Sequence, residues 1–376
     1  MNGEWSNRRC AGDTRESNQE QSGTIGAPKG SWRGSSPPSA RSSVSRVGVS
    51  LSLVGITGTI GTGSVRRITS SQESATVINV VNNHVIHHPP QTAGFTPAPA
   101  DMGLMEVTLL GTGDTTGTPT PGCDCATCET ARDLGVERTR FSVHVRNETT
   151  DESLLVDLSP DFRHQLLEHD VPLPDAALVT HIHFDHLDGL GNAYRLCSEL
   201  PVHAASETDP ETGESVAETI RRKYAYLDAV TVTGHESHTS FEACGFEIRL
   251  VPVVHPPLVS YGVRIEQGDS SLAITGDTNF AIPDGSRDVL RGADLLLADG
   301  LVPADHCTYH PLGGDHHDDD GVPRTFGTKH MTMAGARDLA AELDADRLRV
   351  VHVSHFTDAD RAFEEPLAVD GERYQL

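Results

Sequence analysis

Lysine is almost absent from this 376-residue chain, occurring only at Lys29, Lys223 and Lys329. Asp and Glu together number 54 against 29 Lys and Arg, which gives a formal net charge of −25. Nucleic-acid-binding surfaces require clustered cations, and the acidic part of the chain has no such cluster beyond Arg221-Arg-Lys223. We therefore expect no nucleic-acid partner. High salt would screen this acidity, so the composition predicts a halophilic source and says little about the substrate.

Long hydrophobic runs and a secretory signal are also lacking. The most apolar run of the first hundred residues, 51–60, is too short and too rich in Gly and Thr to span a bilayer. It also lies too far from the N-terminus for a signal peptide. We expect no membrane partner and a cytoplasmic location. In that compartment the seven cysteines favour a metal site over a disulfide framework.

Charge divides the chain into two regions. Residues 1–101 hold 9 Lys and Arg against 6 Asp and Glu, whereas residues 102–376 hold 20 against 48. The first region is rich in Ser, Thr, Gly and Asn and has no sustained hydrophobic period. We interpret 1–101 as a disordered extension, or as a spurious one if the true start is Met102 or Met105, and 102–376 as the functional domain. A targeting role for 1–101 is the alternative.

Residues 102–376 read as many short strands and a few helices. The predicted strands are 106–110, 141–145, 153–157, 176–180, 201–204, 246–251, 262–265, 271–275, 295–298 and 349–351. The predicted helices are 160–168, 214–227 and 334–343. Strands punctuated by helices, with polar ligand-type residues at strand ends, indicate the α/β class and an αββα sandwich.

A dense cluster of ligand-type side chains follows the predicted strand 176–180. His181, His183, Asp185 and His186 lie within six residues. In a packed core each of these groups would need its own hydrogen-bond partner. In a loop, alternate residues converge, so His181 and His183 would address one metal ion while Asp185 and His186 address its neighbour. The alternative is a polar surface loop.

The segment Thr180-His-Ile-His-Phe-Asp-His-Leu-Asp-Gly189 resembles the signature of the metallo-β-lactamase superfamily. The resemblance extends from about Met105 to His355 and implies the αββα metallo-β-lactamase sandwich. It implies that one divalent ion is bound by His181, His183 and His255, that a second is bound by Asp185, His186 and His352, and that Asp277 bridges them.

The same resemblance gives Asp157 the role of holding a ligand histidine by a hydrogen bond, although a turn-starting Asp is the alternative. It implies a hydroxide nucleophile, activated between two metal ions. Zinc and manganese are the expected ions, and iron also suits His and Asp ligands.

Three cysteines crowd into Cys123-Asp-Cys-Ala-Thr-Cys128 with the short spacing of thiolate zinc ligands. Three ligands leave the site open, so a fourth is needed. The candidate is His355, three residues after His352. We therefore predict one structural zinc bound by Cys123, Cys125, Cys128 and His355. Reactive or incidental cysteines are the alternative.

This cysteine motif, together with His352-Val-Ser-His355, is similar to the phosphoribosyl 1,2-cyclic phosphate phosphodiesterase family. The resemblance implies a phosphoric diester hydrolase that opens a small cyclic phosphate ester with its dinuclear-metal-bound hydroxide. It assigns catalytic roles to Asp185 and to His330, the latter as general acid. A surface histidine is the alternative for His330. The implied partner is a small phosphodiester substrate, with a homodimer as a further possibility.

Two other functions stay open at this point. One is a tRNA 3′-end endonuclease-like hydrolase, which shares the His/Asp motif. The other is an accessory role similar to the pyrroloquinoline-quinone biosynthesis B protein, which carries a related cysteine cluster. Arg195 and Arg324 are candidates for contacting a phosphate, or are ordinary surface arginines.

A long insert, 303–328, separates this chain from the pattern of the family. Its ligand-type residues are His306, His310, His316, His317 and Asp318-Asp-Asp320. We predict a solvated loop bordering the active site. Metal loading and covering of the substrate are the alternatives.

Overall fold

The computed structural model describes residues 80–81, 84–85, 104–310, 312–317 and 319–376. Strands β1 (Val80–Val81) and β2 (His84–Val85) pair antiparallel in a unit of their own. The prediction that 1–101 is a disordered extension otherwise falls outside the described residues. The remaining elements, from Leu104 onward, belong to the other unit.

Two sheets form the centre of this second unit. The first sheet has the order β18-β3-β4-β5-β6-β7-β8. Its strands are β3 (Met105–Gly111), β4 (Ser142–Asn147), β5 (Glu152–Val156), β6 (Ala176–Val179), β7 (Leu200–Ala205), β8 (Val230–His235) and β18 (Arg373–Gln375). Strands β5 to β8 run parallel, so their carboxyl ends meet at one edge.

The second sheet has the order β17-β13-β12-β11-β10-β9. Its strands are β9 (Ser240–Ala243), β10 (Phe246–His255), β11 (Leu258–Gln267), β12 (Ser270–Ile274), β13 (Leu295–Asp299) and β17 (Leu348–Val351). Strands β12, β13 and β17 run parallel. All ten predicted strands are confirmed, whereas β8, β9 and β18 were missed.

Helices cover the outer faces of the sheets. The α-helices are α1 (Ala126–Leu134), α2 (Phe162–Glu168), α3 (Phe184–Leu187), α4 (Ala193–Leu196), α5 (Val216–Lys223), α6 (Asp284–Leu290) and α7 (Met333–Glu342). The 3₁₀ helices are η1 (Asp188–Asn192) and η2 (Ala304–Thr308). Helix α5 packs on β7 and β8, and α7 packs on β13 and β17. This layering confirms the αββα sandwich.

The hydrophobic core explains why β13 is a continuous apolar run. Leu295 and Leu297 pack with the residues between the two sheets, whereas Leu296 and Ala298 pack beneath α6 and α7. A strand that is buried on both faces needs apolar side chains at every position. The polar residue that ends the run, Asp299, therefore stands out.

The prediction that the insert 303–328 is a solvated loop is wrong for about half of its length. It contains η2, β14 (Gly314–His317) and β15 (Pro323–Phe326), and these two strands form a three-stranded sheet with β16 (His330–Met331), which lies just after the insert. Strand β15 packs on α7, and its last three residues are buried. The pattern was misread because a four-residue strand among Asp, His and Gly gives too short a period to detect.

Candidate metal centre

The first predicted ligand set converges at the carboxyl edge of the two sheets. His181 follows β6, His255 ends β10, and Asp277 lies in the loop after β12. The Nε2 atoms of His181 and His255 lie 3.0 Å and 3.1 Å from Nδ1 of His183. Asp277 Oδ2 lies 3.7 Å from His181 Nε2. One donor atom from each of the four residues fits within 4.8 Å of the others, which is the spacing of ligands around one ion.

The second predicted set adjoins the first through Asp277. Its Oδ2 atom lies 3.3 Å from His186 Nε2 and 3.2 Å from His352 Nε2. Asp185 Oδ2 lies 3.8 Å and 3.5 Å from the same two nitrogens. A single carboxylate oxygen therefore faces both sets. The structure brings together all seven residues proposed as catalytic metal ligands.

The chemistry of these atoms fits divalent metal ions. In the described part of the chain, the Nε2 atoms of His186 and His352 are buried without a hydrogen-bond partner, although buried polar atoms are normally satisfied. Burial lowers the pKa of His352, but the carboxylates of Asp277 and Asp185 raise it to about 9. The carboxylates thus hold positive charge at the centre. Metal ions supply such charge and compete with protons for the imidazoles.

Residues outside the two ligand sets form hydrogen bonds with the ligand side chains and orient them. Asp157, a buried residue with a φ of 60° directly after β5, lies 2.6 Å through Oδ2 from His186 Nδ1. It also accepts hydrogen bonds from the amide and hydroxyl of Thr180, at 2.8 and 2.7 Å. The structure thus shows the hydrogen bond to a ligand histidine that was expected of Asp157. Because this hydrogen bond uses Nδ1 of His186, the Nε2 atom of the same ring is left available to a metal ion.

Two further residues of the centre were missed in the sequence. Thr115 donates its hydroxyl proton to Asp185 Oδ2 at 2.7 Å. Asp299 accepts hydrogen bonds through Oδ2 from the Thr278 amide and from His330 Nδ1, both at 2.9 Å. The available signal for Asp299 was its place at the end of a buried parallel strand, the same place that drew attention to Asp157.

His330 lies beside both ligand sets. Its ring centroid is 4.9 Å from that of His352 and 4.8 Å from that of His255. Burial raises the pKa of Asp299, while the His330 imidazole acts against that rise. His330 is thereby oriented through Nδ1, and its Nε2 atom remains for contact with a bound molecule.

The predicted cysteine site is also assembled. The Sγ atoms of Cys123 and Cys125 lie 3.4 Å from His355 Nδ1, and that of Cys128 lies 3.6 Å away. Burial raises the pKa of the Cys128 thiol to about 12, against a hydrogen bond from the Thr120 amide. A cation is needed to hold the thiolate form here, and three sulfurs with one imidazole nitrogen suit zinc.

One loop connects the two clusters. His352 and His355 are separated by Val353 and Ser354. The Val353 amide donates to Thr112 O at 3.0 Å, and the Val353 carbonyl accepts from the Asp114 amide at 3.3 Å. A side chain at the adjacent Gly113 would place Cβ 2.6 Å from Arg138 O, so only glycine fits this approach. The loop that carries Thr115 is thus anchored to the segment carrying both histidines.

Other predicted residues lie elsewhere. Arg324 was a candidate for contacting a phosphate or an ordinary surface arginine. Its buried guanidinium pairs with Asp338 at 2.7 Å and Asp320 at 2.8 Å, which favours a structural role. Arg195 stacks on Tyr194, with its guanidinium carbon 4.7 Å from the ring centroid.

Two histidines of the insert, His306 and His310, lie near the cysteine site and are connected to it through Phe356. The His306 ring lies 4.9 Å from the ring of Phe356, which in turn lies 4.3 Å from that of His355. His310 stacks beside His306 at 5.0 Å. The side chains of residues 316 and 317 and all of residue 318 lie outside the described residues.

No helix within the described ranges is long and apolar enough to cross a membrane.

Comparison with known proteins identifies relatives of this fold. The β-lactamase superfamily domain model matches residues 152–353. An octanoyltransferase from Porphyromonas gingivalis is 37% identical over 254 residues, which are 67% of this chain and only 46% of that protein. This chain therefore spans less than half of that relative's length.

In two further comparisons this chain covers almost the whole of the similar protein. Coenzyme PQQ synthesis protein B from Methylobacterium radiotolerans is 26% identical over 292 residues, covering 67% of this chain and 90% of that protein. The crystal structure of a diphosphatase from the PhnP family superposes with a TM-score of 0.57 and 27% identity, covering 72% of this chain and 97% of that one.

Proposed function

This chain belongs to the β-lactamase superfamily of metal-dependent hydrolases, and from that premise we propose that it hydrolyses a small cyclic phosphate ester. The observation that carries the proposal is the pair formed by His330 and Asp299 beside both ligand sets. Metal ligands alone are compatible with many hydrolytic reactions. A positioned acid narrows the candidate reactions to those in which the leaving group must be protonated.

The donor sets fit two divalent metal ions. His181, His183 and His255 would hold one ion, and Asp185, His186 and His352 would hold the other, with Asp277 belonging to both sets. When bound, two such ions, zinc or manganese, lower the pKa of a water nucleophile and neutralise charge that develops on the phosphoryl oxygens. Cys123, Cys125, Cys128 and His355 would hold a structural zinc.

His330 supplies the proton that ring opening requires. The Asp299 carboxylate accepts the Nδ1 hydrogen of His330 at 2.9 Å, which leaves Nε2 to carry the transferred proton, and the ring lies beside His255 and His352 of the two ligand sets. A sugar alkoxide leaves poorly unless it is protonated as the bond to phosphorus breaks, and a histidine acid suits that task. A thiolate leaving group needs no such proton, so the pair favours an oxygen ester over a thioester.

The PhnP-family diphosphatase supports chemistry at phosphorus. It is 27% identical and is covered over 97% of its length, and by its name it acts on phosphorus–oxygen bonds. Coenzyme PQQ synthesis protein B keeps an accessory role as the alternative. The His330–Asp299 pair argues for catalysis, because a non-catalytic protein has no use for an acid beside the ligands.

A tRNA 3′-end endonuclease finds less support. The three side chains of the Arg221-Arg-Lys223 cluster already have partners within the protein. Arg222 pairs with Glu214 at 2.9 Å, Lys223 pairs with Asp188, and Arg221 donates to Val232 O at 3.0 Å. Cations already paired on one helix offer little to an RNA backbone.

The test compares two diesters with different leaving groups on the zinc- or manganese-loaded full chain. Ribofuranose 1,2-cyclic phosphate needs a protonated leaving group, whereas bis(p-nitrophenyl) phosphate releases a stable phenolate. We expect His330→Gln to lower kcat about 10²–10⁴-fold on the cyclic ester and far less on the nitrophenyl ester. The matched control His164→Gln, an exposed histidine paired with Glu137, should leave both rates unchanged.

Failure of the fully metallated protein to hydrolyse either diester would sink the proposal. Equal losses on both substrates would instead remove the acid role from His330.

A further inference from the structure

Two buried atoms beside His330 remain without a hydrogen-bond partner after the catalytic ligands are assigned. Asp299 uses Oδ2 to accept from the Thr278 amide and from His330 Nδ1, but its Oδ1 atom has no partner within the described residues. His352 faces the second ligand set through Nε2, and its Nδ1 atom is likewise unpartnered there. Buried polar atoms are normally satisfied, so these two atoms need a partner that the described chain does not supply.

Asp299, His330 and His352 have the mutual spacing of metal ligands. One ligand atom from each lies within 4.8 Å of the others, as in the catalytic sets. The 2.9 Å between His330 Nδ1 and Asp299 Oδ2 is close to the 3.0–3.1 Å between ligand atoms of the first set. The His330 and His352 rings lie 4.9 Å apart at 12°, and the rings of His186 and His352, which belong to one catalytic set, lie 5.5 Å apart at 20°. Two imidazoles and a carboxylate are ligand types that zinc accepts.

Burial distinguishes this cluster from an ordinary surface pair of histidine and carboxylate. The side chain of Asp299 is 1% exposed and that of His330 is 14% exposed. The pair formed by His164 and Glu137 has a similar contact of 2.7 Å, but its side chains are 52% and 51% exposed, and no third ligand-type residue joins it among the residues that the structure describes. A cation is attracted far more strongly to a carboxylate in a buried site than to one surrounded by water.

We propose that Asp299, His330 and His352 form a further metal site, which takes a divalent cation such as zinc when the metal is in excess and thereby inhibits the enzyme. The inhibition rests on the proposed function, whereas the site itself does not. The cation would replace the proton on His330 Nδ1, and the N–H that remains on a metal-bound imidazole is too weak an acid to protonate an alkoxide. The catalytic ions repel a further cation, so this site should fill after theirs.

The first test counts the zinc ions bound to the full chain. Equilibrium dialysis against rising free zinc, followed by elemental analysis, should give about one more ion per chain in the wild type than in Asp299→Asn or in His330→Gln. Zinc bound by other histidines cancels in this comparison. The control His164→Gln, which changes the exposed pair, should match the wild type. Equal zinc content in the wild type and the two variants at every concentration would overturn the inference.

Excess zinc should also reproduce the loss of the acid in the zinc-loaded wild type. It should lower kcat for ribofuranose 1,2-cyclic phosphate by up to the about 10²–10⁴-fold that a general acid contributes, and change hydrolysis of bis(p-nitrophenyl) phosphate far less. His330→Gln should show no further loss on the cyclic ester. Equal inhibition of both esters in the wild type would overturn the inference. If neither ester is hydrolysed but the additional zinc still depends on Asp299 and His330, the metal site stands and the proposed function falls.

Discussion

Two clusters of ligand-type side chains lie at either end of the segment His352–His355, and they are built in opposite ways. The cysteine cluster takes three of its four donors from six consecutive residues, Cys123–Cys128, and its sulfur atoms lie 3.4–3.6 Å from His355 Nδ1. The His/Asp cluster draws seven residues from both sheets, and its ligands are held from behind by Asp157 and Thr115.

This difference indicates that the cysteine cluster has a structural role and the His/Asp cluster a catalytic one. Four donors in a closed set leave no position for a substrate, which is typical of structural zinc. The His/Asp cluster has a shared carboxylate, outer partners and an adjacent acid, which are features of a reacting centre. Because His352 and His355 share one short segment, the cysteine cluster should support the His/Asp cluster, whereas the reverse dependence should be weak.

The largest effect should come from removing the shared carboxylate, with Asp277→Ala. Its Oδ2 atom lies 3.2–3.7 Å from His181, His186 and His352, so its loss should release both catalytic ions. We expect activity to fall well beyond the about 10–100-fold typical of losing an outer partner. Elemental analysis should still find zinc at the cysteine cluster. Loss of that zinc too would contradict the one-way dependence.

Removal of the cysteine cluster should have the next largest effect. Cys128→Ser should lower the metal content by one ion, lower the melting temperature and reduce kcat about 10–100-fold through displacement of His352. Cys197→Ser changes a half-buried thiol outside the cluster and serves as the control for metal content and activity. Unchanged activity in Cys128→Ser would show that the two clusters are independent.

Spacing alone revealed the parts of these clusters that are local in sequence. His181, His183, Asp185 and His186 are nearly consecutive, as are the three cysteines, so their convergence needed no knowledge of the fold. His255, Asp277 and His352 each stand alone after a strand, and only the resemblance to a family connected them. Their meeting depends on the carboxyl ends of strands from two sheets lying at the same edge.

The missed residues act through contacts that a sequence does not display. Thr115 reaches Asp185 across 70 positions, and Asp299 reaches His330 across 31. The two alternatives for Arg324 stayed open for the same reason, because its partner Asp338 lies on α7 and their contact forms only when the chain packs. Burial and ion pairing are properties of the folded chain, so an isolated arginine could not be assigned from its neighbours.

The smallest effect concerns Asp370, which holds the loop shared by the two clusters. Its two oxygens accept hydrogen bonds from the amides and hydroxyls of Thr112 and Thr139 at 2.6–2.8 Å. Burial nevertheless raises the pKa of Asp370 to about 7. The folded protein would then bind a proton that the unfolded chain has already lost between about pH 4 and 7, so this residue's contribution to stability should fall as pH rises through that window.

Burial raises the pKa of Asp370, whereas its four hydrogen-bond donors lower it. Melting temperatures of the wild type and Asp370→Asn, measured from pH 5 to 8, show which of the two effects is larger. If burial dominates, the wild type should exceed the variant by a few degrees more at pH 5 than at pH 8. A constant or widening gap at higher pH would mean that the four donors keep the carboxylate ionised. The loop from Thr112 to Thr115 would then have a pH-independent anchor, and any loss of activity in acid would have to arise at the ligand histidines themselves.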